Sequence, residues 1–206
     1  MKFLLFADLH QFEPQLLNQI DQDFDVIILL GDINSVACKC ILNAFPDYPI
    51  YGLYGNHDNV NLFESVNNIL MIERQIRGQV FCHPIKNINL EQIIMNEVSF
   101  TGLHGSVKYS GSSVGYTQDE ALHINIPASN ILFSHETGYH YIPEHTDHAH
   151  EGYKVIAEYI EQKKPKYHIF GHHHVDIQFT KTETMCYGIY GCSIFDTQTG
   201  IMMKIF

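Results

Sequence analysis

Five apolar runs rich in β-forming residues recur along this chain, and each is followed by a short polar segment. Four of the runs read KFLLFA, DVIILL, NILF and YHIF, and the fifth, PIYGLY, is shorter. Open α/β sheets place ligand sites at the carboxyl ends of their strands, so the polar segments are expected to converge in space. These segments are Asp8–His10, Gly31–Asp32, Gly55–Asp58, Ser134–His135 and Gly171–His174.

The first half of the chain alternates strand-like and helix-like patterns. Asp8 to Asp32 is 24 positions, and Asp32 to Asn56 is 24 again. This spacing suits compact βαβ steps that join parallel strands. The predicted strands are Lys2–Ala7, Asp25–Leu30 and Ile50–Tyr54, and the predicted helices are Pro14–Ile20, Val36–Phe45 and Asn61–Ile69.

The remainder of the chain has a different pattern. Short strand-like stretches with little helical periodicity fill residues 78–103 and predict an antiparallel second sheet. Later elements are a strand at Asn130–Phe133, a helix at Glu151–Lys164 and a strand at Tyr167–Phe170. The tail predicts two strands joined by a turn at Asp196–Gly200. No linker-like stretch divides the chain, so we expect a single domain over residues 1–206.

Two loops have open interpretations. Gly105–Gly115 is rich in glycine and serine, and an ordinary surface loop is favoured over a functional lid. Glu136–His150 is either a substrate rim, an accessory metal site or a solvated loop, and the last is favoured because short His-rich tracts carry only compositional evidence. Its histidines after the strand end are His140, His145, His148 and His150. His104 is a further candidate for the edge of the site.

Composition restricts the class of protein. The formal charge is −11, from 12 basic and 23 acidic residues, with no Lys/Arg-rich run. Nucleic-acid binding rests on neutralising phosphates with Lys and Arg, so a nucleic-acid partner is disfavoured. The longest clean apolar run, Val26–Leu30, is far short of the roughly 18 residues of a membrane span. The five cysteines suit reduced thiols, and the N-terminus leads directly into a motif, so we expect a cytoplasmic protein.

The polar segments supply metal-ligand chemistry. If the backbone is extended, Asp8 and His10 point to one side while Leu9 packs inward, and His172 pairs with His174 while His173 turns away. Carboxylate, amide and imidazole ligands suit Mn²⁺, Fe, Zn²⁺ or Ni²⁺. Seven ligands are too many for one tetrahedral site but suit two metals that share a carboxylate. The candidate ligands are Asp8, His10, Asp32, Asn56, His135, His172 and His174.

Each candidate also has an ordinary structural explanation. Asp32 could be a helix N-cap and Asn56 a turn former. Those explanations do not predict the common order of strand, polar residue and turn that all the segments share. The order D-x-H, G-D, G-N-H-D, a lone strand-end histidine and G-H-x-H resembles the calcineurin-like metallophosphoesterase superfamily, and the resemblance extends from Asp8 to His174.

The resemblance implies a four-layer α/β/β/α fold, in which a two-sheet β-sandwich is flanked by helices. It implies two divalent ions, with Mn²⁺ expected and Fe, Zn²⁺ or Ni²⁺ as alternatives, and a hydroxide that attacks phosphorus. One ion would be held by Asp8, His10 and His174, and the other by Asn56, His135 and His172. Asp32 would bridge the ions. His57 would face the phosphate and the leaving group.

Some features remain open within this resemblance. Asp58 either orients the His57 ring or is a solvated turn residue. The chain departs from many family members at Asn34 and at Glu136–His140, so substrates of better-known subfamilies are not transferred. We expect a phosphoesterase acting on small phosphomonoesters, phosphodiesters or phosphoproteins. The alternatives are a non-catalytic metal-binding interaction module on the same fold, and a nuclease, which the lack of basic residues disfavours.

Overall fold

The computed structural model describes residues 1–58, 65–66, 69–76, 79–111, 113–144 and 147–206, with the backbone alone for the parts of 65–84 included. The strands are β1 (Lys2–Ala7), β2 (Val26–Leu29), β3 (Ile50–Gly52), β4 (Ser65–Val66), β5 (Ile69–Ile76), β6 (Gln79–Asn87), β7 (Ile93–Met95), β8 (Val98–Leu103), β9 (Ser106–Val107), β10 (Gly115–Tyr116), β11 (Ile131–Ser134), β12 (Tyr167–Phe170), β13 (Ile177–Lys181), β14 (Thr184–Gly188), β15 (Gly191–Asp196) and β16 (Ile201–Lys204). The α-helices are α1 (Ser35–Ala44), α2 (Gln118–Leu122) and α3 (Lys154–Lys163).

The strands form two large mixed sheets. The first has the order β16-β15-β1-β2-β3-β6-β5-β4, and the second β13-β14-β12-β11-β8-β7. In the first sheet β1, β2, β3 and β6 are parallel, and in the second β8, β11, β12 and β14 are parallel. A separate pair, β9 and β10, is also parallel. The parallel strands at the centre of each sheet give it a common carboxyl end.

Three apolar cores separate four layers. Side chains such as Leu4 and Ile27 face α1 on one side of the first sheet. The alternate residues of the same strands, such as Phe3 and Ile28, pack against the second sheet. The far side of the second sheet packs against α3, which buries Ile156 among others. The alternation follows from the two-residue period of a strand, and it confirms the four-layer α/β/β/α architecture.

Most predicted elements are present within a residue or two of their expected bounds. The β1, β2 and β3 strands are parallel, as the 24-residue spacing predicts. The helix predicted at Glu151–Lys164 is α3, and it buries the face that its periodicity indicates. The predicted turn in the tail joins β15 to β16, and these two strands pair antiparallel. No helix in the described part of the chain has the length and apolarity needed to cross a membrane.

Three predictions need correction. The second sheet is mainly parallel, because long crossovers join β8 to β11 and β11 to β12, and only the edge strands β7 and β13 are antiparallel to their neighbours. The strand predicted at residues 79–83 is the start of β6 and belongs to the first sheet. The tail carries three strands, since β14 precedes the predicted pair.

Two predicted helices also differ. Pro14–Gln19 is a 3-10 helix and not an α-helix, although Leu17 and Ile20 pack against the core beside α1. The helix predicted at Asn61–Ile69 lies partly outside the described residues, and within it Ser65–Val66 form β4. A strand there pairs with β5 and gains ladder hydrogen bonds that override the local pattern.

Candidate metal centre

The carboxyl ends of the central strands bring the predicted site residues together. Asp8, Asp32 and Asn56 follow strands of the first sheet, whereas His135 follows β11 in the second. His135 joins the two sheets directly: its Nδ1 lies 2.8 Å from the Leu30 carbonyl oxygen and its Nε2 lies 2.8 Å from Asn56 Oδ1. The convergence expected from the sequence is therefore present in the structure.

The candidate ligands lie on tight turns and not on extended backbone. Asp8, Asp32, His172 and His174 all have φ between 52° and 66°, the left-handed region that Asp, Asn and His enter more readily than most residues. The His10 N–H donates to the Asp8 carbonyl at 2.9 Å, which closes a turn immediately after β1. The expectation of an extended backbone at these positions is wrong, although Leu9 does pack into the core.

Glycine allows the two central loops to approach each other. Gly31 has a φ of +97°, and a Cβ at this position would lie 2.6 Å from Gly55 Cα. A Cβ on Gly55 would in turn collide with the Asp32 carboxylate. The glycines that precede Asp32 and Asn56 are therefore required by the close approach of the loops that carry these two side chains.

One group of candidate ligands consists of Asp8, His10 and His174. The Nε2 atoms of His10 and His174 are 3.2 Å apart, and His174 Nε2 lies 3.6 Å from Asp8 Oδ1. Asp8 is buried and the two histidines are exposed. Nitrogen lone pairs and a carboxylate oxygen thus surround one point at the surface of the molecule.

A second group consists of Asp8, Asp32 and His135, all of them buried. Asp32 Oδ2 lies 3.7 Å from His10 Nε2 and 3.6 Å from His135 Nε2, so it is nearly equidistant from a histidine of each group. Asn56 adjoins this group through His135. The position of Asp32 between the groups is compatible with a bridging carboxylate, and Asp8 is also common to both.

Two buried carboxylate oxygens indicate that these residues suit a cation. Asp8 Oδ1 and Asp32 Oδ2 accept no hydrogen bond from the described part of the chain. Burying a carboxylate oxygen without a partner is costly unless it is paired or coordinates a metal. Both oxygens belong to the groups described above, so the donor set fits divalent cations.

His172 lies at the edge of this centre and outside both three-residue groups. Its backbone N–H donates to Asp8 Oδ2 at 2.8 Å, and its ring centroid is 5.0 Å from that of His135. Its Nε2 lies 2.8 Å from the Ala149 carbonyl oxygen. A carbonyl only accepts, so Nε2 carries the proton and Nδ1 is the nitrogen left for a ligand role.

Glu136 is a buried residue of the site that the sequence analysis missed. Its Oε1 lies 2.8 Å from His173 Nε2, and its Oε2 lies 3.4 Å from His172 Nε2. His173 does turn away from the candidate ligands, and this carboxylate is its partner. The available signal was the run of three histidines: the one that points inward needs a buried acceptor.

His57 and Asp58 have different surroundings. His57 is exposed, its ring centroid lies 5.9 Å from that of His10, and its backbone N–H donates to Asp32 Oδ1 at 2.8 Å. Asp58 accepts hydrogen bonds from the backbone N–H groups of Asp32, Ile33 and Gly55 at 2.7–3.1 Å. These bonds hold the two ligand loops together, whereas the sequence analysis proposed that Asp58 orients the His57 ring or is solvated.

The two loops with open interpretations both reach the centre. Tyr109, in the Gly105–Gly115 loop, accepts a hydrogen bond from Asn56 Nδ2 at 3.0 Å. His150, in the Glu136–His150 segment, stacks on His172 with ring centroids 4.7 Å apart. The solvated-loop interpretation is wrong at the buried Glu136 and holds at the exposed His140 and His148, while His145 lies outside the described residues. His104 is half-buried and stacks on Tyr116.

Charges within the centre shift several pKa values. Burial raises the pKa of Asp8, but the nearby imidazoles of His174, His135 and His172 lower it by more, and the net shift is downward. Burial lowers the pKa of His135, but Asp32 and Asp8 raise it above its ordinary value. Burial lowers the pKa of His172 to about 4, so its ring is neutral, as a metal ligand requires.

Asp58 shows the opposite shift. Burial and the negative charge of Asp32 raise the pKa of Asp58 to about 7, against the lowering effect of the Gly55 N–H group. Asp32 and Asp58 are thus neighbouring carboxylates that repel each other when both are ionised.

The fold and the site together define a class: a two-sheet α/β sandwich with carboxylates and histidines clustered at its strand ends. The model of the calcineurin-like phosphoesterase superfamily domain matches residues 1–188, and the chain belongs to this family. A comparison with curated proteins finds no match.

Several solved structures share the fold. A protein of Thermus thermophilus is 12% identical, with a TM-score of 0.60, covering 98% of this chain and 96% of its own. An archaeal phosphodiesterase is 15% identical, with a TM-score of 0.53 and coverage of 98% and 97%. The phosphopantetheinyl hydrolase of Mycobacterium tuberculosis is 10% identical, with a TM-score of 0.54 and coverage of 92% and 89%. At these identities the likeness concerns the fold alone.

Proposed function

We propose that this protein is a metal-dependent phosphoesterase that hydrolyses small phosphomonoesters or phosphodiesters at a centre for two divalent cations. The observation that carries the proposal is the pair of buried oxygens, Asp8 Oδ1 and Asp32 Oδ2, which lack hydrogen-bond partners among the described residues and face the histidines of both groups. Membership of the calcineurin-like phosphoesterase family supports the same reaction class.

The roles that we propose for the residues are those that membership of this family implies. Asp8, His10 and His174 would hold one cation, and Asn56, His135 and His172 the other, with Asp32 between them. Cations bound in this way supply a hydroxide near neutral pH and neutralise charge on the phosphoryl oxygens. Mn²⁺ is the proposed metal, and Fe, Zn²⁺ or Ni²⁺ suit the same ligands.

His57 would act on the substrate and not on the metal. Its ring is exposed beside His10, and its backbone is anchored to Asp32. A protonated ring in this position can hydrogen-bond a phosphoryl oxygen or donate a proton to the leaving alkoxide. Asp58 holds the Asp32 and Asn56 loops together, and this fixes the position of His57 relative to the candidate ligands.

The first experiment tests for activity. The purified chain, stripped of metal and reloaded with Mn²⁺, is given p-nitrophenyl phosphate, its bis-ester and a panel of phosphoesters that includes a phosphopeptide. We expect turnover that disappears with chelator and returns with Mn²⁺. A protein that binds Mn²⁺ but hydrolyses none of these esters would instead fit the non-catalytic interaction module.

A pair of variants separates ligand from catalytic roles. We expect Asp32→Ala to lose at least one of the two bound metals, measured by elemental analysis, because it removes the carboxylate between both groups. His57→Ala should keep both metals and lower kcat by about 10²–10⁴-fold, the usual contribution of a general acid or base. Loss of metal from His57→Ala would show that its assigned role is wrong.

A further inference from the structure

An open groove adjoins the candidate metal centre on the side of His10 and His57. It has a volume of about 810 Å³, begins at His10, and lies between the N-terminus of α1 and the segment that follows β1. This volume is within the range of pockets that take small ligands. Its other lining residues are Gln11, Phe12, Glu13, Leu16, Asn34 and Val36.

Asn34 fixes the two walls of the groove relative to each other. Its Nδ2 donates to the Leu9 carbonyl at 2.6 Å, and its Oδ1 accepts from the backbone N–H groups of Val36 and Ala37 at 3.0 and 2.9 Å. One side chain thus caps α1 and holds the segment after β1 against it. The groove is therefore preformed, which reduces the ordering cost of binding.

The lining of the groove combines apolar and polar side chains and carries little charge. Phe12, Leu16 and Val36 provide apolar surface, and Val36 is 59% exposed although it is a β-branched apolar residue in the first turn of a helix. Apart from His10, Glu13 is the one ionisable residue among the lining residues, which include no lysine or arginine. A second anionic group on a ligand would meet this carboxylate without a compensating cation.

We propose that this groove binds the organic group of the phosphoester substrate, and that this group is uncharged and at least partly apolar. The inference rests on the proposed function. His10 belongs both to a candidate metal group and to the lining of the groove, so the ester substituent of a phosphoryl group held at the centre can extend into the groove. His57, beside His10, then lies next to the leaving oxygen. Aryl and alkyl phosphates fit this chemistry, whereas nucleoside di- and triphosphates do not.

The kinetic test uses Val36→Asp on the Mn²⁺-loaded protein. Because an acidic residue is favourable in the first turn of a helix, this variant is expected to fold. We expect KM for 1-naphthyl phosphate to rise about tenfold, with kcat changed less than about twofold, because one apolar contact is worth about that factor. KM for glycerol 2-phosphate, which lacks apolar surface, should change less than about twofold.

Ile94→Asp is the matched control. Ile94 is 69% exposed on the edge strand β7, outside the groove, so its replacement adds the same charge without altering either KM. Equal KM changes in both variants, or a wild-type preference for ADP over 1-naphthyl phosphate, would overturn the inference while leaving phosphoesterase activity intact.

A second measurement does not depend on turnover. Titration of the ¹⁵N-labelled full chain with 1-naphthol, the product alcohol, should shift the backbone amides of residues 11–13 and 34–37, and Val36→Asp should weaken these shifts. Shifts confined to other parts of the chain would overturn the groove assignment. If no phosphoester is hydrolysed but these shifts are present, the proposed function fails and the groove assignment stands.

Discussion

Asp8 and Asp32 are the residues on which the candidate centre most depends. Each is buried, has a φ above 50°, and leaves one carboxylate oxygen without a hydrogen-bond partner in the described structure. Left-handed backbone at a non-glycine residue and an unpaired buried charge both cost free energy, and such costs persist where function requires them. The surrounding residues hold these two carboxylates in place, and two of these residues lead to predictions.

Tyr109 is expected to orient the amide of Asn56. Its hydroxyl accepts from Asn56 Nδ2, which leaves Asn56 Oδ1 directed at His135 Nε2 and the centre. We expect Tyr109→Phe to weaken Mn²⁺ binding about tenfold at one of the two positions, the usual effect of losing a partner of a metal ligand. Isothermal titration calorimetry measures this.

Tyr190→Phe is the control for this measurement. Tyr190 is 39% exposed, as Tyr109 is, and its ring centroid lies 5.1 Å from that of His174. Equal losses of affinity in the two variants would argue against a specific role for the Tyr109 hydroxyl.

Glu136 is expected to stabilise the Gly171–His174 turn. Glu136→Gln places an amide NH₂ group in a buried position where a carboxylate accepts from the Thr137 N–H and contacts two histidines. We expect the free energy of unfolding to fall by about 2 kcal/mol, the cost of an unpaired buried donor. Urea denaturation at neutral pH checks this.

A surface carboxylate provides the comparison. Glu183 pairs with Lys164 at 2.8 Å, but both side chains are exposed. Glu183→Gln should lower the free energy of unfolding much less than Glu136→Gln does, because solvent screens the exposed pair. If it costs as much as Glu136→Gln, burial is not what makes Glu136 important.

At the scale of secondary structure, the turns after the strands, and not the strands themselves, determine where the candidate ligands lie. The predicted bounds of β1, β2 and β12 agree with the structure within one residue, and α3 buries the predicted face although it begins three residues later than expected, because hydrophobic periodicity determines which face of an element is buried. The residues after each strand were expected to be extended, yet they form tight turns. Asn34 illustrates the point, since it both caps α1 and holds the preceding loop.

Two substitutions at Asn34 separate these contributions. Asn34→Asp keeps an oxygen that accepts from the α1 backbone but loses the amide that donates to Leu9, whereas Asn34→Ala loses both. We expect the alanine variant to be less stable than the aspartate variant by about 1 kcal/mol, the value of an N-cap. Equal stability of the two variants in urea denaturation would contradict the capping role.

At the scale of the whole molecule, the half-buried His104 and the buried His168 couple stability to pH. Burial lowers the pKa of His104 to about 4, and burial, opposed by the charge of Glu136, lowers that of His168 to about 3. The unfolded chain takes up these protons below its ordinary pKa of 6.5, whereas the folded chain does not. The contribution of these two histidines to the free energy of unfolding is therefore complete above pH 6.5 and is lost as the pH falls toward 4.

A variant isolates the contribution of His104. Between pH 6.5 and 4.5 we expect the free energy of unfolding of His104→Gln to fall less steeply with pH than that of the wild type. The two slopes should differ by up to about 1.4 kcal/mol per pH unit, which corresponds to one proton. Asp58, whose raised pKa acts in the opposite direction, contributes equally to wild type and variant and so cancels in the difference. An unchanged slope in His104→Gln would contradict the assignment to His104.

The sequence by itself determined the family of the protein and most of the order of its elements. Strand periodicity and the polar residues after each strand were enough to predict convergence of Asp8, His10, Asp32, Asn56, His135 and His174, because parallel strands end at one edge of a sheet. The glycines at 31 and 55 belong to the same local pattern.

Only the tertiary structure decided what surrounds these residues. Glu136 reaches His173 across 37 positions, Tyr109 reaches Asn56 across 53, and the groove joins the segment after β1 to the N-terminus of α1. The parallel pairing of β8, β11 and β12 likewise depends on long crossovers. Local periodicity carries information over a few turns of chain, whereas these contacts depend on how distant segments pack.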